Sequence, residues 1–159
     1  MRRYLILLGF ALISIFLQLV LAPWMTIRDI RPDFVLILVL AVAQTSGRMT
    51  GQLFGFGMGL LIDAIGMGSF LGLSALTKTI AGFLAGFLKG QRNRLNPFVI
   101  YSINLAIIFL HFLLMYLINF KGCDISLQRL LIRYVLPTTL YSGVFYFLID
   151  HFFPVEESS

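Results

Sequence analysis

Residues 51–63 read GQLFGFGMGLLID, a stretch in which glycine recurs every four residues among apolar side chains. Residues four apart lie on the same face of an α-helix. Small residues along one face let a neighbouring backbone approach closely, which is how many membrane helices pack. The first set of glycines is Gly51, Gly55 and Gly59, and the next apolar helix repeats the spacing at Gly82, Gly86 and Gly90. The sequence therefore predicts two consecutive antiparallel helices joined by an intramolecular glycine seam.

Glycine is concentrated in the middle of the chain. Eleven of the 14 glycines lie between Gly47 and Gly90. The alternative to an intramolecular seam is that one glycine face serves homodimerisation or the docking of a partner helix. A nucleotide-binding loop is excluded, because residues 55–59 lie inside an apolar segment and no Lys-Ser or Lys-Thr pair follows them.

The composition indicates a membrane protein. Of the 159 residues, 59% are hydrophobic and 12% are charged, and the mean hydropathy is +0.94. A soluble domain carries about twice that charged fraction, so this chain has too few polar residues to cover a water-facing surface. A membrane-spanning helix needs about 20 residues, which limits the chain to about six or seven spans. No room is left for a sizeable extramembrane domain or for a nucleotide-hydrolysing module of ordinary size.

Six apolar runs predict an all-α integral membrane protein with a single polytopic domain over residues 1–159. The expected spans cover about residues 4–22, 32–45, 50–65, 70–88, 98–120 and 130–153. Pro32 and Asp33 open the second span, since proline suits a first helical turn and an acid complements the positive end of a helix. The second and third spans are short for a ~30 Å hydrocarbon core, so they are either tilted neighbours or a re-entrant hairpin. Pro137 predicts a bend or local unwinding in the last span.

The basic residues predict the orientation of the chain. The net charge is +5, from 12 Lys and Arg against 7 Asp and Glu, and the cations lie between apolar runs rather than on one face that suits nucleic acid. With six crossings and a cytoplasmic N-terminus, the inner side carries Arg2, Arg3, Arg48, Lys89, Arg92 and Arg94, and the outer side carries Arg28, Arg31, Lys121 and Arg129. This bias follows the positive-inside rule. Both termini are therefore expected in the cytoplasm, and nucleic acid is not expected as a partner.

Asp63 and Lys78 are ionisable residues at membrane depth, where an isolated charge is costly and is a functional candidate by default. Asp63 precedes the bend at residues 66–69 and Lys78 follows it, so the two lie at similar depths on antiparallel neighbours. The prediction is a buried ion pair that fixes the register of the two helices. The functional alternatives are a proton or ion relay and a contact with a partner's transmembrane helix.

His111 lies in the middle of the fifth span, on a stripe with Asn104 and Met115. Because no second histidine or cysteine is nearby, a metal site is not expected, and the prediction is a hydrogen-bonded interhelical histidine. Asp150 and His151, at the inner end of the last span, are expected at the membrane interface.

Catalytic patterns are absent from the sequence. It contains no nucleophile–base arrangement, no zinc-ligand spacing and no pair of carboxylates at acid/base spacing. Its single cysteine, Cys123, has no partner for a disulfide or a metal site. We therefore expect neither enzymatic activity nor a cofactor.

The stretch from Arg31 to Gly86, about a third of the chain, resembles the rod shape-determining protein MreD family. The resemblance begins with Arg31-Pro32-Asp33-Phe34 and continues with GFGMGLLID at residues 55–63. After the bend, residues 71–76 read LGLSAL, in which Gly72 is the glycine of the pattern, and the spacing of Gly82 and Gly86 follows.

The resemblance implies a small multi-pass protein of the bacterial cytoplasmic (inner) membrane, a non-enzymatic scaffold or regulator of the cell-elongation complex, the elongasome, which synthesises peptidoglycan. It implies MreC as a direct partner, and MreB filaments, RodA and its transpeptidase partner as indirect ones. The family is also similar in fold to the substrate-binding components of energy-coupling-factor transporters.

That likeness gives the chief alternative, a small vitamin-binding membrane subunit that needs an ATPase partner. A proton-coupled transporter that depends on Asp63 and Lys78 is a third class. The short outer bend at residues 66–69 favours the scaffold, because a substrate-binding subunit needs convergent polar side chains in its outer half.

Overall fold

The computed structural model of the chain describes residues 2–27, 30–66, 70–92 and 94–152, which form six helical segments and no sheet. Helix α1 is Arg2–Phe16, continued by the π-helical stretch Leu17–Leu21 and the turn Ala22–Trp24. Helix α2 is Phe34–Ser46, α3 is Arg48–Ala64, and α4 is Leu73–Ala85, which ends in the 3₁₀ turn Gly86–Leu88. Helix α5 is Pro97–Asn119, and α6 comprises Leu127–Leu130, the π-helical stretch Leu131–Val135 and Leu136–Phe152.

The all-α architecture predicted from the apolar runs is confirmed. Within the described residues, two helices are long and apolar enough to cross a membrane, namely Pro97–Asn119 with 23 residues and Leu127–Phe152 with 26 residues. Leu8–Trp24, Phe34–Ser46 and Leu73–Leu88 are shorter apolar helices. Residues 67–69, three of the four residues of the predicted bend, and the last residue of the predicted sixth span lie outside the described residues.

Two prolines modify the helices without ending them. Pro23 lies two residues after the π-helical stretch of α1, and Pro137 lies two residues after that of α6. Proline has no N–H to donate, and its ring clashes with the carbonyl group four residues earlier; a π-helical turn widens the helix at such a point. The irregularity predicted near Pro137 is therefore present. The first helical segment covers the predicted span of about residues 4–22 and continues through Pro23 to Trp24.

Helix α2 is the central helix of the bundle. None of its residues is exposed, and Val35, Leu36, Val39 and Leu40 are fully buried. Its sequence is apolar on all sides as far as Gln44, which is the pattern of a helix surrounded by other helices. It contacts α1, α3, α4 and α6. The short second span expected from the sequence is thus a helix enclosed by its neighbours.

Helices α3 and α4 are antiparallel and share the most extensive contact in the bundle. Their backbones meet at levels where a side chain would not fit: Gly51 against Gly82, Gly55 against the carbonyl group of Lys78, Gly59 against Ala75, and Gly86 against Arg48. A Cβ atom on Gly51 would lie 2.6 Å from the carbonyl oxygen of Gly82, and real Cβ atoms essentially never come within 3.0 Å. The two glycine faces are therefore filled within the chain.

Gly90 does not belong to this seam, although its spacing suggested that it would. It follows α4 in a turn with a φ of 75°, and a Cβ atom there would meet nothing within 4 Å. The helical segment ends at Leu88, so Gly90 lies in the turn at residues 89–92 and outside the regular helical spacing.

We predict that Gly55→Leu prevents α3 and α4 from closing, because the new side chain would collide with the backbone of Lys78. Overpacking of this kind costs about 3 kcal/mol of unfolding free energy, which thermal unfolding of the purified protein in detergent measures. The matched control is Gly57→Leu, two residues further along α3, where a Cβ atom meets nothing within 4 Å. Equal effects of the two substitutions would show that the seam does not hold the helices together.

Candidate functional site

Asp33 connects four helices at the start of α2. It is the N-cap of α2, and its Oδ1 accepts a hydrogen bond of 2.8 Å from the backbone N–H of Leu36. Its Oδ2 accepts one of 2.5 Å from Lys78 Nζ on α4 and lies 3.6 Å from Nε2 of His111 on α5. The Asp33 backbone N–H donates to Ser142 Oγ on α6 over 3.3 Å. These four residues, Asp33, Lys78, His111 and Ser142, are the Asp33 cluster.

The Asp33 cluster is buried. Asp33 is 8% exposed, Lys78 2%, His111 1% and Ser142 0%. Moving a charge out of water costs several kcal/mol, so a buried ion pair is tolerated only when it is well paired and hydrogen-bonded. Both oxygens of the Asp33 carboxylate have a donor, and the positive end of α2 adds a favourable dipole. The expectation that Asp33 opens the second helix is confirmed, whereas Pro32 lies before the N-cap and not in the first turn as predicted. The carboxylate of Asp33 has a second role in binding Lys78.

Lys78 pairs with Asp33 and not with Asp63, so the predicted Asp63–Lys78 pair is wrong. Within the described ranges, the hydrogen bond and the ion pair of Lys78 are both with Asp33. Lys78 enters the bundle interior between α2 and α5, whereas the Asp63 carboxylate faces the first turn of α4. The two charges therefore lie at the same end of the bundle but have different partners.

Asp63 caps α4 from the end of α3. Its Oδ2 accepts hydrogen bonds from the backbone N–H groups of Gly72 at 2.8 Å, Ser74 at 3.0 Å and Ala75 at 3.3 Å. The N-cap position of α4 is Gly72, with a φ of 94° that favours glycine. Glycine has no side chain to accept hydrogen bonds from the first turn, and those N–H groups need a partner. The Asp63 carboxylate supplies it and complements the positive end of α4.

His111 lies where an interhelical contact was predicted, but the predicted hydrogen bond is wrong. The 3.6 Å from Nε2 to Asp33 Oδ2 is longer than a hydrogen bond. In the part of the chain that the structure describes, neither ring nitrogen has a hydrogen-bond partner. Lys78 Nζ donates to the same carboxylate oxygen at the shorter distance of 2.5 Å. The described residues also contain no group of three or more His, Cys, Asp or Glu that is arranged to hold a metal ion.

A cavity of about 190 Å³ adjoins the Asp33 cluster. Its polar wall is formed by Gln18, Arg31, Asp33, Ser74, Lys78, Tyr116 and Thr138. Gln18 of α1 fixes the segment that enters α2, because it accepts a hydrogen bond from the N–H of Phe34 and donates one to the carbonyl oxygen of Pro32. Pro32 is buried beside the cavity, whereas Arg31 is exposed. The cavity therefore reaches the surface next to Arg31.

A second polar cluster, the Asp150 cluster, lies at the opposite end of the bundle. Asp150 of α6 is 3% exposed, and its Oδ2 accepts hydrogen bonds from Arg92 Nη2 and, at 2.9 Å, from Tyr101 Oη. Burial alone would lower the pKa of Arg92, but the hydrogen bond and the charge of Asp150 raise it above its ordinary value. At the same end, Gln44 Nε2 of α2 donates to Asn104 Oδ1 of α5 over 2.8 Å.

The Asp150 cluster was missed by the sequence analysis. Asp150 and His151 were both expected at the membrane interface; Asp150 is buried beneath Arg92 of the loop between α4 and α5, whereas His151 is exposed. An acid near the end of an apolar helix, on the same predicted side as the densest basic loop, is the signal that would have indicated the pair. Gln44 was a second signal, as a lone amide at the end of an apolar helix that needs a partner when buried.

We predict that Asp33 and Lys78 are energetically coupled. Asp33→Asn or Lys78→Met alone leaves one buried charge uncompensated, so each should lower the unfolding free energy by about 3–5 kcal/mol. The double variant should lose much less than the sum of the two. Unfolding in detergent gives the unfolding free energies of the wild type, the two single variants and the double variant, which are the four values that the cycle compares.

The control cycle pairs Asp63→Asn with Lys78→Met. Because Asp63 binds backbone N–H groups and not Lys78, these two effects should add to within about 0.5 kcal/mol. Coupling in the Asp63 cycle, together with additivity in the Asp33 cycle, would contradict the assignment of partners.

The chain matches a known family along almost its whole length. The family model described as rod shape-determining protein MreD covers residues 1–154. No curated protein and no solved structure matches the chain. The resemblance found in residues 31–86 thus extends over the flanking helices, and the chain belongs to the MreD family of rod shape-determining proteins.

Proposed function

We propose that this chain is a non-enzymatic, multi-pass scaffold of the bacterial inner membrane that works with MreC in the cell-elongation complex. The observation that carries the proposal is the family match over residues 1–154, since the matched family is shape-determining. In this proposal MreB filaments, RodA and its transpeptidase partner are reached through the complex. To this complex the chain contributes a helical bundle in which buried acidic and basic side chains form ion pairs with one another.

The distribution of side chains supports insertion into the membrane. Asp33, Asp63, Lys78 and Asp150 are buried. Large apolar side chains are instead exposed around the bundle, among them Leu12, Phe16, Leu53, Phe56, Phe98, Leu140 and Val144. An apolar outer surface of this extent is unfavourable in water, whereas lipid solvates it and helices satisfy their own backbone groups there.

The position of α2 supports six spans over a re-entrant hairpin. This helix begins in the Asp33 cluster, and Gln44 near its other end contacts Asn104 of α5. Its 13 residues cover about 20 Å, which is short for a lipid-facing helix. Since none of its residues is exposed, its length does not have to match the thickness of the hydrocarbon core.

The cavity supports a scaffold over a vitamin-binding transport subunit. Its volume of about 190 Å³ is below the ~300–1,000 Å³ typical of small-molecule sites. Two of the charges on its wall, those of Asp33 and Lys78, are bound to each other. A vitamin-sized ligand would have to break this pair and displace side chains from several helices.

We predict that deleting the gene in its host bacterium converts rods into rounded cells, and that wild-type protein restores the rod shape. Gly57→Leu should restore it as well, whereas Gly55→Leu should not, because only Gly55 lies in the seam. Affinity purification of tagged protein from membranes should recover MreC. Retained rod shape in the deletion strain, or recovery of an ATPase module with a bound vitamin instead of MreC, would contradict the proposal.

A further prediction concerns orientation, with both termini in the cytoplasm and Cys123 outside. Cys123 is exposed in the loop between α5 and α6, so a membrane-impermeant thiol reagent should label it in intact spheroplasts. In the Cys123→Ser background, Arg94→Cys is the matched control, since Arg94 is exposed in the loop between α4 and α5. It should be labelled only in inverted vesicles. Labelling of Cys123 only in inverted vesicles, together with labelling of Arg94→Cys in intact spheroplasts, would show that the topology is the opposite of the predicted one.

A further inference from the structure

The cavity beside the Asp33 cluster has more positive than negative charge on its wall. Arg31 and Lys78 are the two cations, and Asp33 is the one anion. Asp33 is already used, because its carboxylate accepts hydrogen bonds from Lys78 and from the backbone of Leu36. In the described part of the chain, Arg31 has no acidic partner. Among the described residues, one positive charge at the cavity is therefore left without a counterion.

The donors at this cavity are arranged around one open space. The Arg31 guanidinium offers a planar fork of N–H groups, and Lys78 Nζ has three N–H groups, of which the carboxylate of Asp33 takes one. The hydroxyl groups of Tyr116 and Thr138 lie on the same wall but contact each other over 3.3 Å, and Thr138 donates to the carbonyl oxygen of Tyr134, so the two cations are the donors that face a ligand. An anion with several oxygen atoms matches such a set better than a single carboxylate does, because it accepts from donors on different sides.

The size and depth of the cavity limit what it holds. A volume of about 190 Å³ corresponds to about six water molecules in the liquid, which is room for a phosphate group with a few waters. Lys78 is the sixth residue of α4, so it lies about 8 Å from the start of that helix. A group that enters beside the exposed Arg31 approaches Lys78 through the cavity that both residues line.

We propose that this cavity binds a phosphate group, with Arg31 at the entrance and Lys78 at the base as its cationic contacts. The phosphate is carried either by a lipid headgroup at the membrane surface or by free phosphate. In both cases the bound group neutralises the unpaired charge at the cavity. The binding is a property of the folded chain alone and needs neither MreC nor a particular orientation in the membrane.

The test uses the full chain purified in a non-ionic, phosphate-free detergent, with binding measured by native mass spectrometry and by thermal stabilisation. The probes are inorganic phosphate, dioctanoyl phosphatidylglycerol and, as the phosphate-free control, dioctanoylglycerol. The variants are Arg31→Gln and the matched control Arg94→Gln, an exposed arginine at the other end of the bundle. Lys78→Arg, which keeps the charge, reports on the base of the cavity without leaving Asp33 unpaired.

We expect the wild type and Arg94→Gln to bind a phosphate-bearing probe equally, and Arg31→Gln to bind it about tenfold or more weakly, since a hydrogen bond to a charged group is lost. Binding of inorganic phosphate assigns the cavity to free phosphate, and binding of phosphatidylglycerol alone assigns it to a headgroup. The proposal is overturned if neither probe binds, if dioctanoylglycerol binds as tightly as phosphatidylglycerol, or if Arg31→Gln and Arg94→Gln weaken binding equally. None of these outcomes depends on cell shape. A failure of the phosphate proposal can therefore be distinguished from a failure of the scaffold proposal.

Discussion

The carboxylate of Asp33 is the interaction on which the arrangement of the helices depends. It closes the first turn of α2 through Leu36 and neutralises Lys78 on α4, and it lies against His111 on α5. Its own backbone N–H reaches Ser142 on α6. Because α2 is enclosed by its neighbours, the contacts of the single acid at its start fix the axial positions of α4, α5 and α6 relative to α2. Apolar packing alone would let those helices slide, since lipid and protein interior are similarly apolar.

Features that depend on local spacing are the ones that the sequence predicts well. The four-residue repeat of glycine locates the contact of α3 with α4, because small side chains on one helix face have the same meaning wherever the partner lies. The π-helical stretch before Pro137 follows from the missing N–H of proline. The N-cap role of Asp33 follows from its place before an apolar run. Each of these depends on a few neighbouring residues.

The pairing of charges was not predictable by the same reasoning. Asp63 and Lys78 are close in sequence and at similar depth, but depth alone does not distinguish Asp63 from Asp33, which also lies at that end of the bundle. The deciding fact is that α4 begins with glycine and has no cap of its own, so its free N–H groups take Asp63. Lys78 is then left for the acid 45 positions away. The two acids could have been told apart by first finding an acceptor for the unpaired N–H groups at each helix start and only then pairing the charges. Asp63 would have been assigned to the start of α4, and Asp33 would have been left for Lys78.

The long sequence separation of this ion pair has a consequence for biogenesis. A ribosome adds about 5–20 residues per second, so the 45 residues from Asp33 to Lys78 take about 2–9 s to synthesise. During that interval α2 leaves the ribosome with its acid and without the counterion. Until α4 has been synthesised, the acid at the start of α2 therefore lacks the cation with which it pairs in the folded bundle. The order of synthesis therefore determines which contacts of α2 can form first.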